Sequence, residues 1–148
     1  MELIKKVRQD LREAAKKQDK ERQAALKMLL AALETESKRE GEFDKAKAIS
    51  VVKSEVNKRK EAIEAYEKAG ADKRAAGEQK ELEILSAYLP EQASEEQVRE
   101  VVEEVIEQQG GAESIDNPGP IIGQVMGRIG KEKVDGQVVA EIVREILA

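Results

Sequence analysis

Four basic side chains, Lys5, Arg8, Arg12 and Lys16, recur at spacings of three and four. On a helix that turns about 100° per residue they share one flank, a basic edge suited to phosphate contacts. Lys58-Arg59-Lys60 is a second cationic cluster, and Arg128, Lys131 and Lys133 gather at the end of a Gly-rich segment. Such cations attract a nucleic-acid backbone, whereas unstacked bases need aromatic platforms. Phe43, Tyr66 and Tyr88 are the whole aromatic supply. Any RNA contact is therefore expected to follow backbone and shape rather than base identity. Exposed Lys and Arg are also ordinary solvated surface. Arg59 lies near the apolar stripe of its helix and reads better as an internal ion pair with an acidic residue of the following helix.

Other chemistry has less to stand on. The chain has no Cys and no His. Disulfides, thiolate nucleophiles and Cys-based zinc sites are excluded, and the commonest general base at neutral pH is missing. Ser50, Ser54, Ser86, Ser94 and Ser114 lack a Gly-x-Ser-x-Gly elbow, and Ser94 reads as a helix cap. Glu100, Glu103, Glu104 and Glu107 could hold a divalent cation, but helical spacing accounts for them as a solvated face. Gly119, Gly123 and Gly127 do not end in the Gly-Lys-Ser/Thr of a phosphate loop and follow no strand. Glycine at every fourth position favours close helix packing, with a backbone surface open to phosphate as the alternative. No catalytic residue, metal or cofactor is expected.

The elements that position these residues are helical. Hydrophobic residues make up 40% of the 148 residues but aromatics only 2%, so the core must be built from Leu, Ile, Val and Ala. Leu3, Ile4, Val7, Leu11, Ala14 and Ala15 mark one face of a first helix, about Glu2 to Lys17, with Glu2, Asp10 and Glu13 on the side away from the basic edge. Asp19 caps a second helix to about Lys38, centred on Leu26, Leu29, Leu30 and Leu33. Asp44 caps a long third helix ending near Ala69-Gly70, its buried face marked by Ile49, Val52, Val56, Ile63 and Tyr66. A fourth runs from Asp72 to Tyr88, with Leu82, Leu85 and Leu89 as its seam, and Pro90 stops it.

Beyond Pro90, Ser94-Glu95-Glu96-Gln97 is a capping box that opens a fifth helix ending at Gly110-Gly111. Gly110 to Pro120 reads as loop, Ile121 to Ile129 as a short sixth helix, and Asp135 caps a seventh. The pattern predicts an all-α chain: an N-terminal bundle of about four helices over residues 1–90, then a small three-helix bundle over 91–148. Charge shifts at the same place. Residues 1–90 hold 21 Lys/Arg against 18 Asp/Glu, and residues 91–148 hold 5 against 13. Neither balance is strongly basic, so the charge does not announce a nucleic-acid binder; no DNA partner is expected. The start has no apolar signal core, and no apolar run approaches the roughly 20 residues of a membrane span, so a cytoplasmic location without membrane partners is expected.

The order and spacing of these parts resemble the GatB/YqeY family. The resemblance rests on Asn57-Lys58-Arg59-Lys60-Glu61-Ala62-Ile63, on Ala65-Tyr66-Glu67-Lys68-Ala69-Gly70, and above all on Ile84-Leu85-Ser86-Ala87-Tyr88-Leu89-Pro90-Glu91-Gln92. Gly123-Gln124-Val125-Met126 and Asp135-Gly136-Gln137-Val138-Val139 complete it, so it covers essentially the whole chain. The chain is similar to a free-standing YqeY-like protein and to the tail domain of the B subunit of the glutamine-dependent tRNA amidotransferase. The segment from Gly127 to Val134 is shorter than in many family members. The resemblance implies a non-catalytic accessory protein that binds tRNA or works with an amidotransferase or another protein. A label of carbon–nitrogen ligase with glutamine as amido donor describes the larger enzyme. The alternative is a helical protein-interaction module with no RNA contact.

Overall fold

The computed structural model describes residues 1–39 and 41–148. Among them are seven α-helices and one 3-10 turn, and no strand. The fold is all-α, as the pattern predicts. The chain forms two compact units, Met1–Leu89 and Pro90–Ala148.

The first unit is a pair of helical hairpins. Helix α1 (Glu2–Lys16) ends where Gln18 takes a positive φ of 56° and the Asp19 amide returns to the Ala14 carbonyl at 3.0 Å. Asp19 then caps α2 (Lys20–Ser37), accepting from the Arg22 amide at 3.1 Å. So short a turn folds α2 back against α1. Asp44 caps α3 (Lys45–Lys68) by accepting from the Lys47 amide at 2.9 Å. At its far end Gly70 adopts φ +72°, and the Ala71 amide reaches the Tyr66 carbonyl at 2.8 Å. This left-handed glycine closes the helix and turns the chain into α4 (Asp72–Ser86), which packs along α3. Helix α2 touches α1, α3 and α4 and carries the centre of the core, where Leu26, Leu29 and Leu33 are fully buried. Leu30 is half-buried, as are Ile63 and Tyr66 on the outer half of α3.

Two expectations for α1 need correction. Ala15 is exposed rather than part of the buried face. Asp10 is buried, at 6% exposure, rather than on the solvent side. It stands three residues after Val7 and four before Ala14, and so on the edge of the apolar stripe. Burial there is tolerated because the carboxylate finds donors, described below.

The second unit is built on α5 (Glu95–Gln108), α6 (Gly119–Ile129) and α7 (Gly136–Leu147). The capping box is present in full: Ser94 Oγ accepts from the Gln97 amide at 3.1 Å, and Gln97 Oε1 accepts from the Ser94 amide at 2.9 Å. Asp135 caps α7, accepting from the Gln137 amide at 2.9 Å. The core is aliphatic, with Val98, Val102, Val105, Val125, Val139 and Val143 fully buried. Helix α6 starts at Gly119, two residues earlier than the sequence suggests. Proline is tolerated in a first turn, and Asn117 Oδ1 accepts the Gly119 amide at 3.0 Å. The segment read as loop holds a 3-10 turn, Ala112–Ser114. The expected close packing of the glycine strip is not found. Gly123 and Gly127 are exposed, and a methyl group on either would meet nothing within 4 Å. Ile121 and Val125 point the other way, into the core.

Candidate nucleic-acid interface

Burying Ile4, Val7 and Ala14 turns the opposite flank of α1 outward, and Lys5, Arg8, Arg12 and Lys16 are all exposed. Arg8 leans across to α2, where its Nη2 donates to Glu34 Oε1 at 2.7 Å. Lys5, Arg12 and Lys16 make no ion pair among the described residues. Lys6, on the other flank, reaches Asp10 at 3.0 Å. The edge therefore keeps most of its charge available to a phosphate.

The other sequence-marked cations have different surroundings. Lys58 is exposed and lies 3.3 Å from Glu55 on its own helix. Arg59 is the internal ion pair anticipated from its position: its side chain is 11% exposed and faces Glu55, Glu78 and Glu81 at 3.8, 3.7 and 3.1 Å. Two of these partners stand on α4. The geometry is imperfect. Glu81 lies close to Arg59 Nε, yet neither Nε nor Glu78 Oε2 has a hydrogen-bond partner among the described residues. Burial and the neighbouring Glu78 carboxylate push the Glu81 carboxyl above its ordinary range, against the pull of Arg59. In the second unit Arg128 is drawn to Glu104 at 3.8 Å and hydrogen-bonds Gln108, both on α5. Lys131 and Lys133 are exposed at the end of α6. The structure thus gathers Lys5, Arg8, Arg12 and Lys16 on one helix face; Lys58 stands on α3, and Arg128, Lys131 and Lys133 belong to the other unit.

The family-motif residues are mainly structural. The Tyr88 hydroxyl donates to Asp10 Oδ2 at 2.6 Å, joining the end of α4 to α1. Burial raises the Asp10 carboxyl, but the Tyr88 and Lys6 hydrogen bonds and the charges of Lys6 and Arg22 outweigh it and hold it below its ordinary value. Burial, followed by the Asp10 carboxylate, drives the Tyr88 phenol well above its ordinary range. Leu89 packs on the first core, and Pro90 is half-buried at the head of the second unit. Gln92 Nε2 donates to the Pro90 and Glu132 carbonyls at 2.7 and 2.8 Å, and the Ala93 amide donates to the Lys133 carbonyl at 2.7 Å. These bonds fasten the post-proline segment to the α6–α7 loop. Val125 is buried, Met126 packs on the second core, Asp135 is a cap and Gly136 the first residue of α7. Gly123 is open to solvent.

Sequence reasoning missed the Asp10–Tyr88 bond; the place of Asp10 three residues after Val7 marks the edge of the apolar stripe but not the distant donor. It also passed over Lys27 on α2 and Lys38 at its C-cap, which are exposed. The three aromatics are all half-buried: Phe43 and Tyr88 pack on the first core, and Tyr66 lies under the Arg74 guanidinium, 5.9 Å from its ring centre. A cleft of about 560 Å³ between α2 and α3 brings Ser50 and Ser54 beside Lys47 and Lys58. Among the described residues no three acidic side chains converge as a metal site, and no helix is long and apolar enough to cross a membrane.

No curated protein matches the chain. The sequence model of one family, described as Yqey-like protein, matches residues 4–147, and the chain belongs to that family.

Proposed function

From this membership and the exposed basic edge of α1, we propose that the protein is a non-catalytic accessory factor that binds tRNA through its phosphate backbone, in the setting of a tRNA amidotransferase or a related enzyme. The observation that carries the reading is the set Lys5, Arg8, Arg12 and Lys16, exposed together, with one ion pair among the described residues, Arg8 to Glu34. Lys58, Arg128, Lys131 and Lys133 are secondary contacts in this reading, with Lys58 and Arg128 weakened by their own acidic neighbours. Because Phe43 and Tyr88 pack on the first core and Tyr66 lies half-buried under Arg74, recognition is of backbone and shape. Glutamine-dependent amide transfer belongs to the larger enzyme, and the present chain is expected to turn over no glutamine.

The test is co-purification. Labelled tRNA mixed with the intact protein at low ionic strength should elute with it and be released as salt is raised. Separate elution at every salt concentration would contradict the proposal, as would glutamine hydrolysis by the purified protein.

A second reading, a helical protein-interaction module without RNA, is favoured by the open face of α6, where Gly123 and Gly127 meet nothing. Partners captured from extract should survive ribonuclease in that case, and be lost in the first.

A further inference from the structure

The Arg8–Glu34 ion pair fixes which side of α2 lies beside the basic edge of α1. Lys27 on α2 precedes Glu34 by seven residues, and Lys38, the C-cap of α2 with αR backbone, follows it by four, so both share its stripe. The helices run antiparallel from the turn at Gln18, and Gln23 Nε2 reaches the Ala14 carbonyl at 3.4 Å. Between this contact and the Arg8–Glu34 pair, Lys27 falls opposite the Arg12 region of α1, and Lys38 falls at its N-terminal end, near Lys5. Both lysines are exposed, and neither makes an ion pair among the described residues.

We propose that the α1–α2 hairpin presents one two-helix cationic face, with Lys5, Arg8, Arg12 and Lys16 from α1 and Lys27 and Lys38 from α2, which grips the phosphate backbone of folded RNA. The inference rests on the RNA reading above and gives it a location and an extent. Among the described residues the six cations make one ion pair, that of Arg8 with Glu34. The whole chain carries a net charge of −5, so the positive charge here is a local concentration and not a general excess. Like charges held together repel one another, and a polyanion relieves that repulsion with release of its counterions. Lys5 and Lys16 are eleven residues apart, a helix length of about 16 Å, and the α2 lysines add a second row across it. Two rows suit a folded RNA surface better than a single extended strand, which would call for aromatic platforms that this face lacks.

Binding of labelled tRNA to the intact chain, measured by fluorescence anisotropy over a series of salt concentrations, tests this. Lys27→Ala/Lys38→Ala should weaken binding about tenfold or more at low salt and reduce the slope of log Kd against log salt by about two. Lys27→Arg/Lys38→Arg should bind like the parent. Lys60→Ala/Lys73→Ala removes the same charge from exposed sites on α3 and α4 and should change Kd by less than about threefold. If the parent binds tRNA but Lys27→Ala/Lys38→Ala is unchanged, or if the two alanine pairs lose equally, the hairpin face is wrong while the RNA reading stands. If the parent binds no tRNA at any salt, the RNA reading fails and the face with it. Tyrosine melts that coincide with the parent's show that these surface changes leave the fold intact.

Discussion

The two units solve the same packing problem with different chemistry. The first buries Asp10 and Glu55 within its core and encloses Arg59 among three carboxylates. The second, among its described residues, buries only aliphatic side chains and places its polar groups at caps and loops. The polar contacts of the first unit join elements far apart in sequence: Tyr88 to Asp10, Arg59 to α4, Arg8 to Glu34. Leucines and alanines can slide past one another along a helix seam at modest cost, whereas a buried charge has few acceptable partners. We read these contacts as register pins for the helices. The second unit has short helices with strong end signals and has less need of them. Surface charge differs in the same direction, with the free cations on α1 and α2 and a row of carboxylates on α5.

All three aromatics, Phe43, Tyr66 and Tyr88, belong to the first unit, so tyrosine fluorescence follows that unit alone while far-ultraviolet circular dichroism follows both. This separation allows the contrast to be broken deliberately. The largest effect is expected from Arg59→Met, which leaves Glu55, Glu78 and Glu81 facing one another. It should cost about 3 kcal/mol in the tyrosine transition, near the lower end for breaking a buried pair because Glu78 and Glu81 keep 21% and 27% of their side-chain exposure. The loss should shrink in acid, as the raised Glu81 carboxyl takes up its proton. An unchanged transition at neutral pH would show that the Arg59 cluster pins nothing.

Leu29→Ala should cost about 2–5 kcal/mol in denaturant melts, since that side chain is fully buried at the meeting of the hairpins. A loss well below 1 kcal/mol would misplace α2. Tyr88→Phe removes the hydroxyl from a buried carboxylate and should cost about 1.5–3 kcal/mol. Its signature is in the pH profile. Asp10 is held below its ordinary value in the folded state, so its contribution is present above the ordinary carboxylate range and lost as pH falls through the lowered value. Glu81 is raised, so protonating it on the way down relieves the fold and acts in the opposite direction. The parent should therefore hold its stability into mild acid and lose it only in stronger acid. Tyr88→Phe should begin to lose stability at a higher pH. The raised Tyr88 phenol adds an alkaline limb: its contribution is present below the ordinary phenol value and lost as pH climbs through the raised one. The smallest effect is expected in the second unit, where Ser94→Ala should cost about 1 kcal/mol of helix capping, visible by circular dichroism but silent in tyrosine fluorescence.

What could be read from the sequence follows the same contrast. The ends of the helices were legible because Asp19, Asp44, Ser94 and Asp135 cap by local hydrogen bonds, and Gly70 turns the chain by its own backbone freedom. The aliphatic faces of α5 and α7 were legible because periodicity alone defines them. Arg59 was legible too, since a cation on an apolar stripe needs an acidic partner on a neighbouring helix. Asp10 was not, because whether a carboxylate at the margin of a stripe turns inward depends on a donor 78 residues away. The openness of Gly123 and Gly127 depends on which side of α6 its neighbours choose, and four-residue spacing says nothing about that. The join between α1 and α2, which sets Lys27 and Lys38 beside the basic edge, likewise appears only once Arg8 is seen to reach Glu34.

The salt dependence of tRNA affinity, measured on the intact protein from about 50 to 200 mM, tests the backbone-grip reading most directly. The expected result is a straight, steep fall of log affinity with log salt, amounting to about a thousandfold loss if some six phosphates are engaged. Absent binding at the low end, or affinity indifferent to salt, would contradict it.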